Sequence, residues 1–238
     1  MEKRVRVVIG VACALACTLA RANAQVNVTV SSSQITDAYM VWSQSPYTAA
    51  NFPADGGNNG GGQGWSLIDN TAVFSGNTLT LSPNTNTWAA GNTYWTNPDG
   101  TGANTMQASS YAEVDGGLYA GQSVTLTFNV LSDTLAAAAL GGGYTAEAFI
   151  KDFGPGYSYN GEQTVALTSG VESVTYPLTG NNPGEIVQYG FEVIGPDANP
   201  ATVSLLGDVV IAPVPEPSTI GLVVCGLLGA LAIRRRKA

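Results

Sequence analysis

Hydrophobicity with a period of two, in short runs separated by turn residues, constrains this chain more than any other feature. Residues 123–130 (SVTLTFNV) alternate polar and apolar side chains over eight positions, the pattern of a strand with one buried face. Residues 185–194 (EIVQYGFEVI), 171–178 (VESVTYPL) and 202–211 behave similarly. Shorter β-favouring runs at 26–30, 38–42, 65–68, 72–74, 78–81, 144–150 and 164–167 are bounded by Gly, Asn, Pro and Ser. About eleven short strands predict an all-β chain folded as a single β-sandwich. The segment 135–140 (LAAAAL) can supply at most a turn or so of helix. Residues 55–64 (DGGNNGGGQG) have no side chains to pack a core, so a flexible or ligand-wrapping loop is expected there. A second long loop is expected over 83–104, although it carries Trp88, Tyr94 and Trp95.

The two ends differ from the middle. Lys3, Arg4 and Arg6 precede an uncharged apolar run over residues 7–20, and Ala22-Asn23-Ala24 follows. A basic start, a short apolar run and an A-x-A site predict a secretory signal peptide over residues 1–24, cleaved by signal peptidase. As a helix the run would reach only about 21 Å, short of a bilayer core of roughly 30 Å. At the other end, Pro215-Glu216-Pro217 precedes an uncharged Gly-containing stretch over 219–233, and Arg234, Arg235, Arg236 and Lys237 follow. The prolines disfavour helix at the residues before them, leaving an extended, accessible backbone. The basic cluster is expected to stay cytoplasmic, with everything before Pro215 outside.

This three-part tail, residues 214–238, resembles the PEP-CTERM sorting signal. The resemblance implies a short transmembrane helix and an exosortase that acts on the chain at Pro215, Glu216 and Pro217. It further implies export through the inner membrane to the cell surface or extracellular matrix of a Gram-negative bacterium.

Between the ends, residues 25–213 make up one exported domain, long enough for a substantial core. Of the chain's seventeen acidic residues only Glu2 and Glu216 lie outside this domain, and Lys151 is its single basic residue, giving a charge of −14 against −8 for the whole chain. Such a surface repels nucleic acid, whose binding needs Lys and Arg to displace counterions. All three cysteines (Cys13, Cys17, Cys225) lie in the apolar end segments, and there is no histidine. Disulfides within the domain, Ser-His-Asp and Cys-His catalysis and the common zinc sites are therefore excluded.

The second half of the domain resembles jelly-roll carbohydrate-binding modules in the order of its features. Gly121-Gln122-Ser123 opens a strand, residues 148–153 (AFIKDF) follow, then 190–194, and Gly207-Asp208 leads into a last strand. The aromatics point the same way, since exposed rings on a rigid β-scaffold can stack on sugars whose hydroxyls bond Asn, Asp and Gln. Trp88, Tyr94 and Trp95 are the candidate ligand-binding residues, and Tyr157 and Tyr159 occupy a further Gly/Pro-bounded loop. Trp42 and Trp65 are expected in the core. No cofactor is expected, although Asp115-Gly116-Gly117 and Asp55-Gly56-Gly57-Asn58-Asn59 could hold structural calcium. The expected role is non-catalytic, as a structural or polysaccharide-binding component of the extracellular matrix. The alternative is a glycoside hydrolase using two carboxyls about 5–10 Å apart, such as Glu113 with Asp115, or a pair that includes Asp152.

Overall fold

The computed structural model describes residues 24–44, 60–135, 143–178 and 183–214. Residues 1–23, residues 55–59, most of 135–140, and the sorting tail from Pro215 onward lie outside them. The described residues form twelve strands and no α-helix: β1 Gln25–Thr29, β2 Asp37–Gln44, β3 Gly60–Trp65, β4 Ala72–Ser75, β5 Thr78–Leu81, β6 Asn104–Val114, β7 Ser123–Asp133, β8 Thr145–Gly154, β9 Ser158–Ala166, β10 Gly170–Pro177, β11 Ile186–Pro196 and β12 Val209–Ala212. Single 3-10 turns occur at Pro155–Tyr157 and Val203–Leu205.

Two six-stranded sheets face each other, as expected of a sandwich. One, called here the first sheet, runs β1-β7-β12-β5-β4, with β10 also on β7. One edge of β7 takes β10 (Ser123–Val130); β1 (parallel, at Ser123–Thr127) and β12 (antiparallel, at Asn129–Asp133) share the other. The other, the second sheet, is antiparallel throughout, in the order β3-β2-β6-β11-β8-β9. Strand alternation sends Leu126, Phe128 and Val130 of the first sheet inward against Tyr189, Phe191 and Val193 of the second. Phe128 and Phe191 meet edge to face with centroids 5.2 Å apart. Such a pair adds about 0.5–1.5 kcal/mol beyond the burial of its rings.

Three expectations about the strands need correction. Residues 60–64 are not a loop: β3 pairs with β2 from Trp65↔Ala38 to Gly60↔Ser43. Two of its glycines, Gly61 and Gly62, are required by aromatic rings lying over them. A Cβ on Gly61 would sit 2.5 Å from the Trp42 indole, and one on Gly62 2.5 Å from the Tyr39 hydroxyl. Strand β6 has no counterpart among the expected strands, yet it lies centrally in the second sheet between β2 and β11. Both of its faces are covered, so Ser109 and Ser110 are buried alongside Met106 and Ala108, and no alternation of polarity survives. In 202–211 only the end is strand, the rest forming the 3-10 turn and its exit. The features of the jelly-roll likeness hold: β7 opens at Ser123, and β12 follows Gly207-Asp208.

Candidate ligand-binding groove

The outward side of the second sheet is a groove of about 580 Å³. Strand alternation places Tyr39 and Val41 of β2, Gln107, Ser109 and Tyr111 of β6, Gln188 of β11, and Lys151 and Phe153 of β8 on this side. Gly190 sits at its centre, opposite both Tyr111 and Phe149. A Cβ there would clash with the Ser110 carbonyl oxygen and lie 2.7 Å from Tyr111 Cα. The missing side chain lets Tyr111 and Phe149 approach to 6.5 Å between centroids.

The floor is a polar network around Glu192, which is 1% exposed. Its Oε1 accepts from Gln107 Nε2 at 2.7 Å, and its Oε2 accepts from Ser109 Oγ at 2.7 Å and Lys151 Nζ at 2.8 Å. The Lys151 ammonium lies 4.1 Å from the Phe149 ring centroid and 4.0 Å from Glu162 Oε2. Burial alone would raise the Glu192 pKa, but the Lys151 charge and the three hydrogen bonds outweigh it and hold the carboxylate below its ordinary value. Its cross-strand neighbour Glu147 moves the other way. Burial, the Glu192 charge and a hydrogen bond to Glu192 push its pKa up to about 7.

Aromatic residues form one wall. The turn after β8 places Gly156 (φ 70°) and Tyr157 (φ 61°) in the left-handed region, a conformation that costs a non-glycine residue. The turn folds the chain back so that Tyr157 and Tyr159 both pack on Phe153, each with centroids 5.9 Å away. Both tyrosines stay about half exposed, at 55% and 49%. Glu113 fixes the end of this wall, its two oxygens accepting from Tyr157 OH and Gln188 Nε2 at 2.7 Å each. The hydrogen bond to Glu113, with burial, pushes the Tyr157 pKa up to about 12.

Trp88, Tyr94 and Trp95 do not line this groove. Trp88 borders a shallow depression with Thr93, Thr96, Asn97 and Asn199. Trp95 packs edge-on to Tyr94 (4.7 Å) and Trp42 (5.6 Å), and Trp42 Nε1 donates to Tyr94 OH at 3.0 Å. Trp42, Trp65 and Trp95 close over Met40, Met106 and Ala108 as a small second core. The two tryptophans expected in the core are thus half-buried members of this satellite. Lys151 and Asp152 face opposite sides of β8, and Asp115 is exposed beyond the end of β6. Among the described residues no three acidic side chains converge as a metal cluster.

Sequence reasoning missed Tyr39, Gln107, Ser109, Tyr111, Gln188 and Glu192. One available signal was Lys151, the domain's lone base, set in the apolar strand AFIKDF. Another was the shared parity of Gln188 and Glu192 along EIVQYGFEVI, polar positions on a face that a simple surface strand would leave exposed.

A sequence model of the PEP-CTERM protein-sorting motif matches residues 213–237. The chain carries a PEP-CTERM sorting motif. The motif marks an exported, surface-sorted protein of Gram-negative bacteria, processed by an exosortase. Among solved structures, a chain titled "CBM4 structure and function" is similar at 17% identity over 61% of this chain and 80% of that one, with a TM-score of 0.26. No curated protein matches.

Proposed function

We propose that this protein is a non-catalytic surface component that holds a neutral polysaccharide in the groove of the second sheet. The observation that carries this reading is an open groove with half-exposed tyrosines along one wall and amide, hydroxyl and ammonium groups fixed along its floor. Tyrosine faces suit the apolar C–H faces of sugar rings, and held polar groups bond hydroxyls without an ordering cost. Fifteen carboxyls against one lysine favour a neutral glycan over an acidic one. The groove carboxyls are engaged by neighbours: Glu113 by Tyr157 and Gln188, Glu192 by Lys151, and Glu147 by Glu192. This arrangement supports binding over glycoside hydrolysis, which needs two carboxyls facing a sugar between them. Matrix retention through the processed tail would then keep the protein where its ligand is deposited.

Affinity electrophoresis in neutral and acidic polysaccharides tests the reading. Tyr157→Ala and Tyr159→Ala should each weaken binding to the neutral polymer about tenfold, in line with tyrosine anchors at other interfaces. Trp88→Ala and Trp95→Ala should leave it unchanged. The reverse pattern would return the site to the tryptophan region, and retention by none of the polymers would sink the polysaccharide reading.

A further inference from the structure

The polar side chains of the groove donate to two carboxylates. Glu192 accepts from Gln107, Ser109 and Lys151, and Glu113 accepts from Gln188 and Tyr157. The two carboxylates differ in charge balance. Glu192 is matched by the Lys151 ammonium at 2.8 Å. Both printed partners of Glu113 are neutral, and Lys151 is the single base of the domain. It lies two strands from Glu113 in one cross-strand row, Glu113↔Gln188↔Lys151. That separation is about 9–10 Å at a strand spacing of roughly 4.8 Å. At the Glu113 end, the groups left for a ligand are chiefly acceptors: the Gln188 carbonyl oxygen, the Tyr157 lone pairs and the remaining lone pairs of the carboxylate.

Rings and a second acid flank Glu113 on the same face. Tyr111 precedes it by two residues on the groove side of β6, and Asp37 of β2 lies opposite Tyr111 in the register. Asp37 is exposed, and its Oδ2 accepts from the neutral Thr36 Oγ1 at 3.2 Å. Tyr157 and Tyr159 stand half exposed against Phe153. The Tyr157 hydroxyl, 2.7 Å from Glu113 Oε1, holds its ring beside the carboxylate. This end of the groove therefore combines aromatic faces, fixed acceptor oxygens and negative charge that no base offsets. A protonated amine matches all three. It has N–H donors, no acceptor, and a charge drawn to carboxylates and to ring faces. A hydroxyl uses only the acceptors, and an acetamide carbonyl would face oxygen lone pairs. The domain as a whole draws the same ligand, with fifteen carboxyls against one lysine.

We propose that the Glu113 end of the groove binds the ammonium of an unacetylated amino sugar, so that the polysaccharide held there is a hexosamine polymer, neutral over most of its length, with free amines at intervals. The inference rests on the groove reading and narrows its ligand. The amine donates to Glu113 and to the Gln188 carbonyl oxygen and lies beside the Tyr157 ring, while Asp37 adds to the attraction. The Lys151 end has the opposite character. Its ammonium, bonded to Glu192, keeps further N–H groups for hydroxyl or acetamide oxygens. One end selects a charged donor and the other a neutral acceptor, so Glu113 determines specificity for the amine.

Calorimetric titration of the purified full chain in mildly acidic, low-salt buffer uses three probes: a hexamer of β-1,4-linked glucosamine, the same hexamer fully N-acetylated, and hexalysine. The glucosamine hexamer should bind about tenfold more tightly than the acetylated one, the worth of one partly desolvated charge contact. Glu113→Gln should bring that ratio to about one, and Asp37→Asn, at an exposed position, should lower it about threefold. Asp99→Asn removes an equal charge from a residue that does not line the groove, and should keep the tenfold ratio. Equal affinity of the wild type for both hexamers overturns the amine inference; if Tyr157→Ala then weakens both, the groove reading stands without it. A ratio that survives Glu113→Gln, or that Asp99→Asn lowers as much, assigns the preference to overall charge and also overturns the inference. Hexalysine binding as tightly as the glucosamine hexamer does the same, because charge alone would then suffice. Binding of neither hexamer overturns the inference and the groove reading together. Should Glu113→Gln not fold, an unchanged ratio in Asp37→Asn overturns the inference in its place.

Discussion

Strands β10 and β11 lie in opposite sheets of the sandwich, and they obey different rules. Along β10 exposure alternates: Val171, Ser173 and Thr175 face water while Val174 is buried. Along β11 every residue from 187 to 195 is buried, the polar Gln188 and Glu192 included. The outer face of the first sheet carries small polar groups among exposed Val73, Leu131 and Val171, with Thr125 Oγ1 and Thr175 Oγ1 2.8 Å apart and Gln25 Nε2 bonded to Thr125 at 3.1 Å. The outer face of the second carries aromatics over a shielded ion pair. A sheet needs one buried face to fold. Where the second face is also buried, and buried around charge, the added desolvation cost points to function more than to stability.

The contrast breaks most sharply at Lys151. Lys151→Met leaves Glu192 a buried charge with no cation, and should destabilise the protein by about 3–5 kcal/mol in urea denaturation. The double variant Lys151→Met/Glu192→Met should recover much of that loss, because it removes both desolvation penalties. A cost below about 1 kcal/mol for the single variant would show that the pair is not what the second sheet's outer face is built around.

Acidity should separate the two sheets with a smaller effect. Asp197 and Glu147 have folded pKa values of about 7, above the ordinary carboxyl value near 4. Between those limits the folded protein holds protons that the unfolded chain has released. Their contribution to stability is complete below about pH 4 and is lost as pH rises through 7. Glu192, held low, acts in the opposite sense and loses its contribution in acid. Tm should therefore peak near pH 5 and fall by about 5 °C by pH 8. Asp197→Asn should flatten part of that slope, and an unchanged slope would remove Asp197 as a source.

The smallest effect belongs to the first sheet. Thr175→Val removes the hydroxyl pair with Thr125 on an exposed face, and should change stability by no more than about 0.5 kcal/mol. Polysaccharide binding should not change. A loss of binding comparable to that of the Tyr157 variant would make the first sheet's face the ligand surface and reverse the comparison.

Legibility in the sequence followed the same division. Strands β7, β10 and the ends of β11 were readable because one side of each run is apolar and turn residues bound it. Strand β6 was not readable, since Asn104, Ser109 and Ser110 are buried for reasons that only their neighbours supply. The glycines of β3 resembled a loop because the rings that cover Gly61 and Gly62 belong to Trp42 and Tyr39 of another strand. The aromatic-rich segment 83–104 drew attention as a binding surface, yet Trp95 serves to close a small core over Met40 and Met106.

What the sequence by itself determined is therefore the local part: an all-β domain, its acidity, the exclusion of thiol and imidazole chemistry, and the sorting motif at the end of the chain. These follow from periodicity, composition and contiguous motifs, which need no knowledge of which strands are neighbours. Only the tertiary structure decided the site. Gln107, Lys151 and Glu192 come from three strands and meet because the sheet order is β6-β11-β8. Sheet pairing is a non-local choice fixed by the packing of the whole core, and the chemistry of the groove is built from that choice.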